Sequence, residues 1–144
     1  HCCSVATRRF IPLLRGPVNA VFLNPPSSRP CQPPPWAHLF AVNANTGDIA
    51  WNVPLSTSDE LEAKGIRNTG SFGQGVPIAT AGGLVFIAGT SDKHFRAFDS
   101  TSGRVMWDAL LESEGHTTPM TYLASNGKQY VVVVTTGVNA FALE

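Results

Sequence analysis

From Trp36 onward the chain alternates short apolar runs with clusters of Gly, Asn, Asp, Ser and Thr. The runs "LFAVN", "IAWNV", "LVFIAG", "FRAFD", "RVMWDALL" and "QYVVVV" combine aromatic and β-branched residues, which pack well on a pleated surface. The clusters between them, "ANTG", "TAGG", "STSG" and "SNGK", supply turn residues. Asn and Asp side chains bond the backbone two residues on, and Gly accepts a positive φ. The pattern predicts strands near residues 38–43, 48–53, 76–80, 84–89, 94–98, 104–110, 117–123, 129–135 and 138–143. The longest apolar run near the C-terminus, "YVVVVTTGV", is too short for a transmembrane helix and reads as a buried strand. No heptad or amphipathic helical pattern of useful length appears, so the expected class is all-β.

Two of these hairpins are nearly the same phrase. "LFAVNANTGDIAW", residues 39–51, and "FRAFDSTSGRVMW", residues 95–107, align Ala41, Asn43, Gly47 and Trp51 with Ala97, Asp99, Gly103 and Trp107, at a constant offset of 56 residues. A fixed offset marks a repeated structural unit. In each, Asn or Asp opens the turn, Gly closes it, and Trp follows in the outgoing strand. A Trp at one fixed place per unit buries its flat face most simply between neighbouring units.

Grouping the strands by this repeat gives one whole four-stranded unit over residues 76–111, the second half of a similar unit before it, and a third unit that ends after its third strand, where Ala140 matches Ala97. Four-stranded units with one Trp hairpin each are β-propeller blades. A ring closes with typically about four to eight blades. The two to three units here are expected to be a piece of one, and a start at His1 rather than Met is expected of an incomplete translation product.

Composition narrows the partners. Ten basic residues balance ten acidic ones, without the basic excess that nucleic-acid binding favours, so nucleic acid is not expected as a partner. Residues 1–35 differ in character, since "NPPSSRPCQPPPW" holds six of the eleven prolines and favours extended, polyproline-like chain. The stretch "FIPLLRGPVNAVFL" is broken by Pro12, Arg15, Gly16 and Pro17, which disfavours a signal-peptide core. We therefore divide the chain into a disordered or non-native leader, 1–35, and a partial propeller, 36–144. Cys2, Cys3 and Cys31 have no C-x-x-C spacing and read as incidental thiols of that leader.

The runs "CQPPPWAHLFAVNANTGDIAWNVPL", "KGIRNTGSFGQGVPIATAGGLVFIAGTSDKHFRAFDSTSGRVMW" and "HTTPMTYLASNGKQYVVVV" closely resemble, in order, the C-terminal part of the pyrroloquinoline quinone (PQQ)-dependent dehydrogenases, most of all the membrane-bound quinoprotein glucose dehydrogenase branch. The resemblance covers about residues 31–144. It implies an eight-bladed propeller that holds PQQ with Ca²⁺ near its axis and oxidises a sugar or alcohol. Electrons would pass to a quinone or cytochrome, in the periplasm, with any membrane anchor supplied by regions outside this chain. The catalytic Asp, the calcium ligands and most cofactor contacts belong to earlier blades in that family, so no catalytic or metal-binding residue is assigned here, the isolated chain is expected to be inactive, and tight PQQ or Ca²⁺ binding to it is not expected.

One loop is a candidate for cofactor contact. "GSFGQGVPIAT" matches the place where relatives carry Gly-Gly or Trp-Gly-Gly beside the quinone, which puts Gln74, Gly75 and Val76 at those positions. The second Gly of the pattern is Val here. A blade-entry loop that needs glycine only for its turn is the alternative reading. Two further departures are the short C-terminal stretch "TTGVNAFALE", where relatives have a longer glycine-rich segment, and residues 1–30, which match nothing in the pattern.

The remaining chemistry is weaker. Asp92 and His94 form a possible half of a catalytic pair, but Asp92 falls in the "GTSDK" turn, and a surface role is expected for His94. His116, which opens "TTPMTY", is expected to pack or hydrogen-bond between blades. Asp59, Glu60 and Glu62 lack a calcium-loop pattern and read as a solvated face. "GSFGQG" lacks the spacing of a dinucleotide loop. A non-catalytic propeller that binds proteins is the alternative to the enzyme. The dehydrogenase reading is favoured because the similarity extends through loops that a scaffold has no need to preserve.

Overall fold

The computed structural model describes residues 23, 24, 29, 30 and 32–143. The rest of the leader, including Cys2, Cys3 and Cys31, lies outside the described residues. Two compact units are present, His1–Pro33 and Pro34–Glu144. In the first, β1 (Leu23–Asn24) and β2 (Arg29–Pro30) form an antiparallel pair.

The second unit holds the repeat. β3 (His38–Val42) pairs with β4 (Ile49–Pro54), and after the four-residue helix α1 (Asp59–Glu62) comes a four-stranded antiparallel sheet in the order β5-β6-β7-β8. Its strands are Ile78–Ala79, Leu84–Ile87, His94–Asp99 and Val105–Leu110. A three-stranded sheet follows, with β9 (Met120–Leu123), β10 (Gln129–Val134) and β11 (Val138–Leu143) in the order β11-β10-β9. Half a blade, a whole blade and three strands of another are the predicted architecture.

The repeat holds at the level of register. Ala41 faces Trp51 and Ala97 faces Trp107, and each hairpin is bulged at the next step, between Ala41 and Val42 and between Ala97 and Phe98. Both turns close alike, because Gly47 N donates to Asn43 O at 2.8 Å and Gly103 N to Asp99 O at 2.9 Å. Both glycines have a positive φ, +80° and +71°, which other residues enter only at a cost.

The inner strands of the four-stranded sheet, β6 and β7, bury side chains on both faces, as a stacked blade requires. Phe86, Phe95 and Ala97 pack with Val131, Val133 and Phe141 of the three-stranded sheet. On the opposite face Ile87, Phe98 and Val85 pack with Leu39, Trp51 and Val53 of the β3–β4 pair. Alternation along β6 and β7 sends successive side chains to opposite cores. Phe86, Phe95 and Phe98 are fully buried, and each such side chain is worth about 1.5–3 kcal/mol.

Among the elements that come out differently, three have identifiable reasons, whereas the strand predicted near 76–80 is simply shorter, Ile78–Ala79. β6 ends at Ile87 rather than 89 because Gly89, at φ +80°, turns its carbonyl to Gln74 N at 2.8 Å. β9 starts at Met120 rather than 117. Pro119 has no N–H to give a ladder, and the Thr117 hydroxyl instead brackets the Val134 backbone, donating to its O at 3.0 Å and accepting from its N at 3.2 Å. Asp59–Glu62 is a single helical turn rather than plain loop, with Asp59, Glu60 and Glu62 exposed as expected and Leu61 buried.

Candidate functional site

The candidate cofactor-facing loop is a backbone lattice before it is anything else. Residues 69–75 cross between the β3–β4 pair and the end of β6. Trp36 N donates to Thr69 O at 2.7 Å, Ser71 N to Leu55 O at 3.2 Å, Ser91 N to Phe72 O at 2.9 Å and Gln74 N to Gly89 O at 2.8 Å. Gly73 forms a bridge with Thr90. A Cβ on Gly75 would lie 1.6 Å from Ala88 O, and one on Gly70, at φ +65°, 2.5 Å from Ala37 N. Backbone of neighbouring segments therefore accounts for these glycines without any ligand. The side chains that remain outward are Phe72, Gln74 and Val76, all exposed. Gln74 brings a carboxamide with both donor and acceptor capacity. It lies between the exposed apolar Phe72 and Val76.

Behind this loop lies an ionic network, buried at Asp92 and Arg96, that the sequence did not announce. Asp92 sits in the turn after β6, its side chain only 1% exposed, and is held by Arg96 of β7 in a fork of two hydrogen bonds, one at 3.2 Å from Nη1. Thr90 Oγ1 donates to the same carboxylate at 2.5 Å, and Thr57 N approaches it at 3.4 Å from the connector after β4. Arg96 Nε also reaches Asp108 Oδ2 of β8 at 3.2 Å, and Asp108 Oδ1 meets His94 Nδ1. Burial alone would raise the Asp92 carboxyl. The hydrogen bonds from Arg96 and Thr90 and the guanidinium charge outweigh it and hold the group below its ordinary range.

This arrangement agrees with setting aside Asp92 and His94 as a catalytic pair. The His94 side chain faces Asp108 across the β7–β8 ladder. Asp92 touches His94 only at the backbone, where His94 N donates to Oδ1 at 3.3 Å. The signal that was present is Asp92-x-x-x-Arg96, a carboxylate and a guanidinium on either side of a turn entering a strand. His116 is not placed as expected: it is exposed, and its Nε2 lies 3.1 Å from Glu114 Oε2 of the same loop rather than between blades. Among the described residues no three His, Cys, Asp or Glu side chains stand together to hold a metal ion.

A four-stranded antiparallel sheet stacked between a two-stranded pair and a three-stranded sheet, with Trp hairpins closing the first two units, defines a stretch of β-propeller. The chain belongs to the PQQ family of glucose/ethanol/alcohol dehydrogenase β-propeller domains, whose family model matches residues 15–131. It is 43% identical over 110 residues to the quinate/shikimate dehydrogenase (quinone) of Acinetobacter baylyi, covering 72% of this chain and 14% of that protein. It is 36% identical over 129 residues to the quinoprotein glucose dehydrogenase of Escherichia coli, covering 84% of this chain and 16% of the other. Among solved structures, a europium-containing methanol dehydrogenase superposes with a TM-score of 0.51 at 30% identity, over 67% of this chain and 14% of that one. A quinohemoprotein alcohol dehydrogenase from Pseudomonas putida gives a TM-score of 0.52 at 25% identity, over 72% of this chain and 13% of that one. The chain thus spans about a seventh of the length of the relatives it matches.

Proposed function

We propose that this chain is part of a PQQ-dependent dehydrogenase that oxidises a CH–OH group of a sugar, ring polyol or alcohol and passes the electrons to a quinone or cytochrome. The observation that carries the reading is the family match over residues 15–131, which includes the connecting loops as well as the Trp hairpins. The relatives named for quinate/shikimate and for glucose act on polyhydroxylated rings, which favours a substrate of that kind. When bound, PQQ supplies the two-electron oxidant for such a carbon. This chain contributes one wall through Gln74 and Gly75: the Gln74 carboxamide offers hydrogen bonds, and Gly75, drawn against Ala88 O, keeps the loop low. No described helix is long and apolar enough to cross a membrane. A periplasmic location, with attachment to the inner membrane through other parts of the polypeptide, completes the reading.

The test is to read the flanking DNA, express the complete polypeptide with PQQ and Ca²⁺, and follow dye reduction with glucose, quinate and a simple alcohol. PQQ-dependent reduction with a ring polyol is expected, and none from the 144-residue chain alone. Gln74→Ala should raise the PQQ concentration for half-saturation about two- to tenfold, the loss of one hydrogen bond. A complete polypeptide that binds no PQQ would end the enzymatic reading. An unchanged half-saturation in the variant would end the role given to the loop.

A further inference from the structure

The turn between β9 and β10 carries the one Asn-Gly pair of the sequence, Asn126-Gly127, and both residues are exposed. Gly127 has no side chain to shield its backbone nitrogen from the Asn126 carboxamide. The turn nevertheless restrains both reacting groups. Gly127 N donates to Ala124 O at 2.9 Å. Asn126 Oδ1 accepts from Lys128 N at 3.0 Å, and Asn126 Nδ2 donates to the Tyr130 hydroxyl at 3.2 Å. Tyr130 is itself fixed by stacking on Tyr122, with ring centroids 5.4 Å apart and planes 12° from parallel.

We propose that Asn126-Gly127 is a site of spontaneous deamidation whose rate is governed by the Tyr130 hydroxyl. In the reaction Gly127 N loses its proton to solvent base and bonds to the Asn126 side-chain carbonyl carbon. The bond from that carbon to Nδ2 breaks, and ammonia leaves with a proton from water. Water then opens the cyclic imide at either carbonyl, giving Asp or isoaspartate, with no oxidant or reductant involved. Attack requires Gly127 N to leave Ala124 O and the carboxamide to rotate away from Tyr130 and Lys128, so the folded turn reacts only when it opens. Isoaspartate adds one carbon to the backbone of a turn closed by Gly127 N on Ala124 O and by Ala124 N on Lys128 O at 2.9 Å. It would therefore undo the β9–β10 connection, while the new carboxylate stands beside Lys128.

The experiment incubates three samples at mildly alkaline pH and follows the mass gain of amide-to-acid conversion at residue 126, with isoaspartate resolved by peptide mapping. The samples are the full 144-residue chain, its Tyr130→Phe variant and the free peptide of residues 122–130. Phe keeps the stacking ring and removes only the hydroxyl. The expected order is peptide fastest, wild type slowest, and Tyr130→Phe about two- to tenfold faster than wild type, the effect of one lost hydrogen bond on opening. Conversion of the wild-type chain at the peptide's rate, equal rates for wild type and variant, or no conversion in any sample would each overturn the proposal.

Discussion

Trp51 and Trp107 hold the same place in the repeat and meet different surroundings. Trp51 of β4 donates its indole N–H to Ser100 O at 2.8 Å, and its ring lies so close to Gly103 that a Cβ there would stand 2.6 Å from Cε3. It docks, in other words, on the β7–β8 turn of the next unit. Trp107 of β8 is 38% exposed and meets two rings edge-on, Phe95 at 5.8 Å and Phe141 at 5.1 Å. Among the described residues none accepts from its indole N–H. The third unit offers Trp107 a strand face rather than a turn, and between them lies a cleft of about 700 Å³ lined by Leu84, Phe86, Met106 and Phe141 among others. The hairpin is set by its own sequence. Docking of its Trp is set by the neighbour.

The largest test of that distinction removes each ring in turn. Trp51→Ala should cost about 3–5 kcal/mol, as large-to-small changes at packed aromatic positions do. Trp107→Ala should cost less than about 2 kcal/mol because part of its ring is already in water. Urea unfolding of the two variants gives the comparison, and equal losses would show that docking on the turn adds no stability. A finer test moves to the glycines. Gly47→Ala meets nothing within 4 Å and should cost only the left-handed backbone, about 1–2 kcal/mol. Gly103→Ala has that cost and also drives a methyl into Trp51, adding about 1–3 kcal/mol of overpacking. If both alanines cost the same, the Trp51 ring yields and the close approach is not a constraint.

The same contrast explains what could be read in advance. The spacing of Ala, Asn or Asp, Gly and Trp marked both hairpins and the repeat of units, because each signal acts within a few residues or repeats at a fixed offset. What stayed hidden was set by neighbours in space. Thr117 replaces ladder bonds that Pro119 cannot make, and the Gly75 requirement comes from Ala88 O across a loop rather than from its own turn. Arg96 joins Asp92 to Asp108 across two strands, a contact that neither turn chemistry nor alternation encodes. Gln74 was singled out by resemblance alone, and its exposure is a property of the fold that no spacing revealed.

The smallest expected effect exploits the difference between the residues that open the two turns. Asp99 opens the turn on which Trp51 docks, whereas Asn43 opens the equivalent turn of the preceding unit. The Asp99 carboxylate accepts from Ser102 Oγ at 2.8 Å, from Ser102 N at 2.7 Å and from Thr101 N at 3.1 Å, while Asn43 Oδ1 accepts from Asn45 N at 3.0 Å. Hydrogen bonds from Ser102 hold the Asp99 carboxyl below its ordinary 3.8, with help from Thr101 and the Arg104 charge. A carboxyl whose folded-state pKa is depressed contributes stability that is present above 3.8 and lost as pH falls through the lower folded value. Acidification below 3.8 should therefore loosen the β7–β8 turn and shift the Trp51 indole N–H resonance, which reports on Ser100 O. Asp92 titrates in the same direction, so Asp99→Asn is the discriminating variant: Asn keeps an acceptor in place, as Asn43 does, and removes the titrating proton. The Trp51 shift should flatten in that variant. A shift that persists unchanged would assign the acid response to Asp92 and leave the two turns equivalent in their chemistry.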